Sequence, residues 1–576
     1  MGLVSRSSAY RLSLAATIAA LLPLIAPADA DPTIGRAPAV VATNGMVVAQ
    51  EALAARIGVE ILEKGGNAVD AAVAVGFALA VTYPRAGNLG GGGFMVIHRA
   101  GGDDTTIDYR ETAPQAINAN SFLDAQGNAD PQKSRDSALA IGVPGTVAGL
   151  ALAEQKYGSG HFTLADLIAP AIALARDGIA VADDTADSLP RDQERLKRWP
   201  SSAQIFLKAD GTVLAPGDRL VQPDLANTLA AIAKDGPRAF YEGATAEKIA
   251  AAVQTAGGVM TVDDLKNYRA VERTPVRGSY RGYDIVSMPP PSSGGVVLIE
   301  MLNILEGYDL AHDDEAQALF LMIEAMKRAY ADRAWFLGDP DKVRLPVAHL
   351  TSKSYARDWR ATIDPAHATA AKDIRPTAGP VQSEGHNTTH FSVIDRFGNA
   401  VSNTYTLNFS YGVGLVAAGT GVLLNNELDD FAAKADAPNA YGLLGYEANA
   451  PGPGKRPLSS MTPTIVLKDG KPFLVTGTPG GSLIITTVLQ ILVDVIDRGM
   501  DVASAVSAPR VHDQWMPDLV FVEPGFSDDL IAALEARGDT IVVRKLPTSA
   551  NSILITPAGF VGAADPRTRG ALAAGY

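Results

Sequence analysis

The chain changes character abruptly at residue 388. Residues 364–387 are rich in Ala and Pro, include Ser, Lys and Glu, and have no apolar period, which is typical of an exposed, loosely held segment. From Thr388 onward apolar residues alternate with polar ones, a turn follows at 395–399, and alternation resumes over 400–407. This pattern predicts two antiparallel β-strands, the first of which begins directly after the loosely held segment.

A threonine at the head of a strand is a suitable position for the nucleophile of a self-cleaving hydrolase. The threonine hydroxyl is a weak nucleophile, but the free α-amino group of the same residue can activate it. That amine has a pKa of about 7.7 to 8.0 and can act as a base near neutral pH. It exists at Thr388 only if the bond between Asn387 and Thr388 is cut. Threonine is also an ordinary strand former, so these letters alone do not identify a nucleophile.

Seven further blocks, in order along the chain, decide between these interpretations. They read GGNAVDAA at 65–72, GNLGGGGF at 87–94, DYRE at 108–111, GVPGTVAG at 142–149, LNNELDDF at 424–431, KRPLSSM at 455–461 and TPGGS at 478–482. With these blocks the chain resembles the γ-glutamyltranspeptidases, a family of N-terminal nucleophile hydrolases, over nearly its full mature length. The resemblance implies autocatalytic cleavage between Asn387 and Thr388.

The fold class expected is α+β. Helical patterns dominate the first part of the chain, for example over 51–64, 71–82, 164–176, 222–234, 296–306 and 312–336. Strand patterns dominate after 388, at 388–395, 400–407, 421–425, 463–468 and 473–477, followed by a helix over 484–498. This separation favours α+β over repeating βαβ units. The resemblance implies a four-layer αββα sandwich, with a large piece (31–387) and a small piece (388–576) that stay together as a heterodimer.

Four catalytic residues are implied by the resemblance. Thr388 would attack first the Asn387 carbonyl carbon and later the γ-carbonyl carbon of a substrate, and Thr406 would orient its hydroxyl. Gly480 and Gly481 match the family's oxyanion-hole pair, and glycine suits a backbone that must approach a substrate closely.

The substrate-binding residues implied are suited to an α-carboxylate and an α-ammonium group. Arg110 offers a two-nitrogen fork for a carboxylate, and Ser459 and Ser460 offer hydroxyl donors. Acceptors for the ammonium come from Asn408, Glu427 and Asp430. Position 427 varies between Glu and Gln among relatives, which makes its contribution less certain than that of Asp430.

The segment PNAYG at 438–442 resembles the lid loop of the transpeptidases, with Tyr441 as its aromatic residue. Acylases of the same superfamily that act on cephalosporin side chains tend to lack this loop, so its presence favours γ-glutamyl substrates. A closed lid would shelter an acyl-enzyme from water until an amine acceptor arrives.

The charge and composition of the chain exclude several classes of partner and of catalytic chemistry. The formal net charge of -14 argues against nucleic acid as a partner, and the absence of cysteine excludes disulfides and thiol catalysis. No HExxH is present, and His386 and His390 lie about 13 Å apart if both are on a strand, so we interpret them as ordinary polar residues.

The glycine run 87–93 lacks a following Gly-Lys-Ser/Thr and predicts tight backbone packing near the active site, not nucleotide binding. No cofactor or metal is expected.

Residues 1–30 have the pattern of a secretory signal peptide. Arg6 and Arg11 precede an apolar run over 12–25, and Ala28-Asp29-Ala30 fits a cleavage site, so the mature chain is expected to begin at Asp31. A retained membrane anchor is the alternative, although the run is short and broken by Pro23. We expect an exported, periplasmic protein with no membrane association after signal removal, and secretion into the medium is the alternative.

The function expected from the resemblance is that of a γ-glutamyltransferase and glutathione hydrolase. It would pass the acyl group to amino acids, short peptides or water. One alternative is a cephalosporin or glutaryl side-chain acylase with the same nucleophile. The other is an exported solute-binding protein, which would stay a single uncut chain.

Overall fold

A computed structural model describes residues 35–375 and 388–576. The predicted signal peptide, the expected start at Asp31, and the residues His386 and Asn387 therefore lie outside the described residues. None of the described helices is both long and apolar enough to cross a bilayer.

Fourteen strands form two large sheets. In chain order they are β1 (Val40–Ala42), β2 (Gly45–Ala49), β3 (Gly92–His98), β4 (Asp104–Asp108), β5 (Val271–Arg273), β6 (Val276–Tyr280), β7 (Tyr283–Ser287), β8 (Thr389–Asp395), β9 (Ala400–Thr406), β10 (Thr464–Lys468), β11 (Lys471–Thr476), β12 (Asn551–Thr556), β13 (Gly559–Ala564) and β14 (Leu572–Gly575). Smaller sheets pair Ile179–Ala180 with Arg219–Leu220, Val416–Ala417 with Val422–Leu423, and Val511–His512 with Val520–Val522 and Ile541–Val543.

The longer helices are α1 (Ala52–Glu63), α2 (Ala68–Thr82), α3 (Thr146–Tyr157), α4 (Leu164–Asp177), α5 (Asp183–Lys197), α6 (Pro223–Asp235), α7 (Gly243–Thr255), α8 (Gly294–Leu305), α9 (Glu315–Phe336) and α10 (Leu483–Ile496). Shorter helices span Pro131–Ser134, Pro200–Phe206, Arg238–Tyr241, Val262–Asn267, Val347–Leu350, Lys353–Arg360, Ala371–Ile374, Val502–Ser507 and Asp528–Ala536, with 3₁₀ turns at Ala138–Ala140, Glu427–Asp430 and Glu447–Asn449.

Both large sheets are seven-stranded and antiparallel. One has the order β14-β2-β8-β9-β3-β4-β5, and the other has the order β1-β13-β12-β11-β10-β7-β6. Each sheet contains strands from both sides of residue 388. A cut before Thr388 would therefore leave neither piece with a complete sheet, and the two pieces would stay paired through backbone hydrogen bonds.

Successive side chains along each strand point to opposite faces of the sheet. One set packs between the two sheets, and the other set packs against helices. In β2, Met46 and Val48 pack between the sheets with residues such as Ile465 and Val475, whereas Val47 faces α1 and α2. Helices α8, α9 and α10 cover the outer face of the other sheet. The resulting order is helices, sheet, sheet, helices, so both the α+β class and the four-layer sandwich are confirmed.

Most predicted elements are present, with small differences in their bounds. Helix α2 is buried along its whole length and is capped by Asn67, as its apolar sequence predicts. Helix α9 begins at Glu315, three residues later than predicted, because the Asp314 side chain caps it. The predicted strand 421–425 is only Val422–Leu423, because Asn425 uses its side chain to bind loop backbone and the chain then forms the Glu427–Asp430 turn.

Candidate active site

A pocket with an empty volume of about 260 Å³ lies where β8 begins and β9 ends. Within the described chain, every predicted site residue except Gly480 lines it. The lining consists of Arg110, Thr388, Thr406, Asn408, Glu427, Asp430, Tyr441, Ser459, Ser460, Met461, Gly481 and Ile484. Residues from four of the seven sequence blocks therefore meet in one cavity with residues of the β8–β9 pair and of the predicted lid.

Thr388 and Thr406 are brought together by the pairing of β8 with β9. Thr389 lies opposite Tyr405, and continuing this antiparallel register by one residue places Thr388 beside Thr406. The Thr388 residue is 5% exposed, and Thr406 Oγ1 accepts a hydrogen bond from the Asn408 backbone at 2.8 Å. The strand pair thus fixes Thr388, the predicted first residue of the small piece, at the wall of the pocket.

The glycine run 87–93 packs against this strand end. A Cβ atom on Gly90 would lie 1.9 Å from the Leu423 carbonyl oxygen, and one on Gly91 would lie 2.0 Å from the Thr406 carbonyl oxygen. Only glycine permits this approach. The prediction of tight backbone packing near the site is confirmed.

Gly480 and Gly481 precede helix α10, with φ angles of 140° and 57°. Both values favour glycine, and the space at Gly481 is closed by the Tyr441 ring, whose Cδ1 atom would be 2.5 Å from an added Cβ. The adjacent N-terminus of a 14-residue helix carries partial positive charge. Backbone amides at this position can stabilise a developing oxyanion.

Arg110 is buried and shares its guanidinium between two acids. One terminal nitrogen donates to Glu427, the other donates to Asp430, and Nε donates to the Pro457 carbonyl oxygen at 3.0 Å. Both terminal nitrogens are therefore already engaged and do not form a free pair of donors for a carboxylate. The predicted contact between Arg110 and a substrate carboxylate stays a prediction.

Burial changes the proton affinity of these acids. It raises the pKa of Glu427 to about 7, against the opposing effect of Arg110. It also raises the pKa of Asp430, which Arg110 again opposes, and it raises the pKa of Glu111 well above its ordinary range. The raised pKa values limit the negative charge of the site. The acids that carry this charge, Glu427 and Asp430, lie beside Arg110.

Tyr441 of the predicted lid contacts Asn408, and both residues line the pocket. Asn408 has a φ of 74°, and its Nδ2 donates to the Asn426 carbonyl oxygen at 2.9 Å. The Tyr441 hydroxyl donates to the Asn408 backbone oxygen at 3.0 Å and also contacts its side-chain oxygen. The Tyr441 ring stacks on Phe409 with centroids 5.7 Å apart. The loop at 438–442 therefore lies closed over the site in this structure.

Ser459 and Ser460 also line the pocket. The Ser459 hydroxyl oxygen accepts from the Met461 backbone at 3.1 Å, and the Ser460 hydroxyl oxygen accepts from Arg333 Nη2 at 3.1 Å. Arg333 was not predicted as a site residue, because the helical pattern over 312–336 does not show what packs against the charged residues of helix α9. A charged residue three positions after Tyr330, on a face that is otherwise apolar, was the available signal.

Met461 and Ile484 were also not predicted as site residues. Met461 is the last residue of the KRPLSSM block, and Ile484 lies two residues after the TPGGS block. Their apolar side chains suit the methylene portion of a ligand.

His390 is neutral in this environment. Its Nδ1 lies 2.8 Å from Thr404 Oγ1, its Nε2 lies 3.0 Å from Ser392 Oγ, and burial lowers its pKa to about 3. Across residues 35–375 and 388–576, no group of three or more His, Asp and Glu side chains is arranged to hold a metal ion.

Comparison with known proteins agrees with this geometry. The family model for γ-glutamyltranspeptidase matches residues 54–575. The chain belongs to the γ-glutamyltranspeptidase family. It is 53% identical over 540 residues to the glutathione hydrolase proenzyme of Escherichia coli (strain K12), covering 93% of this chain and 92% of that protein.

Two acylases are also similar to this γ-glutamyltranspeptidase-family chain. The acylase ACY 1 proenzyme of Pseudomonas sp. (strain V22) is 37% identical over 558 residues, covering 95% of this chain and 96% of that protein. The crystal structure of a cephalosporin acylase from Bacillus halodurans matches with a TM-score of 0.82 and 28% identity, covering 95% and 99% of the two chains. The chain is therefore an enzyme whose fold is shared with acylases and whose sequence is more similar to glutathione hydrolases.

Proposed function

We propose that this γ-glutamyltranspeptidase-family enzyme cleaves γ-glutamyl amides, glutathione among them, and passes the acyl group to amino acids, peptides or water. The observation that carries the proposal is the pocket itself, which is lined by Thr388, by a cation, Arg110, and by the acids Glu427 and Asp430. Charges of both signs beside a nucleophile suit a substrate end that carries both a carboxylate and an ammonium group. The 53% identity to a glutathione hydrolase supports the same substrate class.

The chemistry proposed is acyl transfer in two steps. Thr388 Oγ1 attacks the γ-carbonyl carbon, its proton passes to the α-amino group of the same residue, and the carbonyl oxygen gains negative charge. Amides of Gly480 and Gly481 are the proposed donors to that oxygen. The C–N bond then breaks, the amine leaves with the proton, and a γ-glutamyl ester remains on Thr388. In the second step an amine acceptor or water attacks the ester carbon and gives a proton to the Thr388 amine. The bond to Thr388 Oγ1 then breaks, and this proton returns to Oγ1 as the product leaves.

Maturation is part of the proposal. The Thr388 amine requires cleavage of the Asn387–Thr388 bond, giving pieces 31–387 and 388–576 that stay associated through the shared sheets. Signal removal before Asp31 and a periplasmic location are proposed on the sequence of residues 1–30. Mass spectrometry of the purified mature protein tests both cuts. A single uncut chain that retained activity would contradict the proposal.

The acylase alternative is favoured by one observation, the close match to the cephalosporin acylase fold. Three anilides separate the two activities: γ-glutamyl-p-nitroanilide, glutaryl-p-nitroanilide, which lacks the ammonium, and 4-aminobutanoyl-p-nitroanilide, which lacks the α-carboxylate. We expect the highest kcat/KM with the γ-glutamyl compound. A higher value with the glutaryl compound would support the acylase instead. Membership in an enzyme family leaves the solute-binding alternative without support.

A further inference from the structure

The backbone of His390, two residues after the proposed nucleophile, is held by two side chains from distant parts of the fold. Its N–H donates to Gln50 Oε1 at 3.2 Å, and its carbonyl oxygen accepts from Asn551 Nδ2 at 2.8 Å. Gln50 directly follows strand β2, and Asn551 is the first residue of β12. All three residues are buried. Two separate segments therefore meet at the start of β8.

The pairing of β8 with β2 stops before the start of β8 is reached. Ala49 of β2 lies opposite Phe391, and this is the pair nearest the beginning of β8. A buried backbone group without a hydrogen-bond partner is costly, so groups beyond the paired region need other partners. The side chains of Gln50 and Asn551 supply them at His390. On its other edge β8 is bonded to β9.

The proposed cleavage gives this strand end a special requirement. A cut before Thr388 turns the start of β8 into a chain terminus, and termini are poorly ordered unless they are tied down. The hydroxyl and the α-amine of the proposed mechanism both belong to this terminal residue. Fraying of the strand end would therefore displace both groups, and a displacement of about 1 Å can lower a rate about a hundredfold.

Asn551 also contacts the segment that leads to the proposed oxyanion donors. Its backbone N–H donates to the Gly477 carbonyl oxygen at 3.1 Å. Gly477 packs directly on the His390 ring, because an added Cβ would lie 2.3 Å from the ring Cε1 atom. One residue thus connects the strand of the nucleophile, through its side chain, with the turn that carries Gly480, through its backbone.

We propose that Gln50 and Asn551 are positioning residues, which hold the start of β8 at His390. They would thereby keep Thr388 at a fixed distance from the oxyanion donors. The inference rests on the proposed role of Thr388 as an N-terminal nucleophile. Neither Gln50 nor Asn551 is among the described residues that line the pocket, so their loss should affect kcat and not substrate binding.

The test uses Asn551→Ala, which removes the Nδ2 donor, and Gln50→Met, which keeps the length of the side chain but removes the acceptor. In each mature enzyme kcat for γ-glutamyl-p-nitroanilide should fall about tenfold to a hundredfold. L-Glutamate carries the same α-carboxylate and α-ammonium groups, so its Ki as a competitive inhibitor reports on the pocket alone. This Ki should stay within about twofold of the wild-type value.

Hydrogen exchange gives a second measurement that does not depend on activity. Exchange of backbone amides, followed by mass spectrometry, should become faster in peptides from the start of β8 in both variants. Peptides from strand β3, which lies on the far side of β9, should exchange as in the wild type. Unchanged exchange at the start of β8 would contradict the inference even if kcat fell.

Ser552→Ala is the matched control for Asn551→Ala. Ser552 is the next residue of β12, is also buried, and its hydroxyl forms a hydrogen bond with Thr476 Oγ1 at 2.7 Å. The loss of this buried hydrogen bond should lower Tm but leave kcat and the exchange of β8 unchanged. A fall in kcat equal to that of Asn551→Ala would assign the effect to general destabilisation and overturn the positioning role.

The outcomes distinguish this inference from the proposed function. A wild-type protein that stays uncut, or does not turn over γ-glutamyl-p-nitroanilide, would remove the proposed function. With an active wild type, a variant that keeps kcat, or that raises the Ki of glutamate as much as it lowers kcat, would overturn the positioning role of the residue it replaces. If one of the two variants does not mature, the other decides by the same criteria.

Discussion

The Tyr441 hydroxyl donates a hydrogen bond to the backbone carbonyl oxygen of Asn408, at 3.0 Å. Asn408 is two residues beyond Thr406, and Tyr441 belongs to the loop over the pocket, so this contact joins the loop to the strand end that carries the site. The Asp429 carboxylate strengthens the connection by accepting from the Ala440 backbone at 3.1 Å. The loop is thus held through two adjacent residues, Ala440 and Tyr441.

Tyr441→Phe tests this closure. The ring and its stacking on Phe409 are kept, but the hydrogen bond is lost, which should weaken closure by about 1 kcal/mol. We expect KM for γ-glutamyl-p-nitroanilide to rise severalfold and the ratio of transfer to hydrolysis to fall, because water reaches the ester more easily. Product analysis with and without glycylglycine as acceptor measures that ratio. An unchanged ratio would mean that the hydroxyl does not hold the loop closed during turnover.

Thr388→Ala tests the nucleophile. Without the hydroxyl, neither the cut before residue 388 nor the ester can form, so a single chain with no activity is expected on a denaturing gel and by mass spectrometry. Thr389→Val is the matched control: the Thr389 hydroxyl is buried and has no hydrogen-bond partner in the described part of the chain, so valine should fit and allow normal cleavage. Normal fragments from the Thr388→Ala protein would remove Thr388 from the mechanism.

Gly481→Ala tests the close approach beside the proposed oxyanion hole. A methyl group would lie 2.5 Å from the Tyr441 ring at a φ of 57°, so the backbone amides or the ring must move. Loss of an oxyanion donor typically lowers kcat by about 100- to 1000-fold, and we expect an effect of that order. Gly499→Ala is the control, because Gly499 has a similar φ of 63° but open space around it. It should cost about 1 kcal/mol of stability and leave kcat unchanged. Equal kcat values for the two variants would contradict the assignment.

The sequence predicted the structural features that depend on residues close together in the chain. Alternation over 388–407 gave the β8–β9 pair, and the apolar run after Asn67 gave the buried helix α2. The site residues were found because they fall in contiguous blocks whose resemblance to a family is recognisable. The strand expected over 421–425 was too long, because the Asn425 side chain binds the backbone of Gly90 and Gly142, which are distant in sequence.

The sequence alone could not predict which charged residues pair when they lie far apart along the chain. Helix α9 looked amphipathic, yet Glu324, Lys327 and Asp332 are all buried because other segments pack over its polar face. Lys327, for example, pairs with Asp539 at 2.7 Å across 212 positions. The same limitation hid Arg333, which donates a hydrogen bond to Ser460 across 127 positions of the chain. It also hid the engagement of Arg110 with Glu427 and Asp430, which were expected only as ligands for an ammonium group.

The pKa of Glu427 predicts how activity and stability depend on pH. Burial raises this pKa to about 7, so the carboxyl group is largely protonated in mildly acidic solution and ionises as the pH passes 7. An ionised Glu427 attracts the substrate ammonium, so log(kcat/KM) for γ-glutamyl-p-nitroanilide should rise through this range. The raised pKa also means that the folded state binds the proton more tightly than the unfolded state. The free energy of unfolding contributed by Glu427 should therefore decrease as pH rises between the ordinary pKa of about 4.3 and about 7.

Glu427→Gln separates this ionisation from that of the Thr388 amine. Glutamine keeps the shape but cannot ionise, so the step near pH 7 should disappear and leave the limb of the amine, expected at a pKa of about 7.7 to 8.0. The decrease in unfolding free energy between pH 4.3 and 7 should become smaller in urea titrations at fixed pH values. Glutaryl-p-nitroanilide, which lacks the ammonium, should show no Glu427-dependent step with either enzyme. A step near pH 7 that survives in Glu427→Gln with the γ-glutamyl substrate would assign that ionisation to another group.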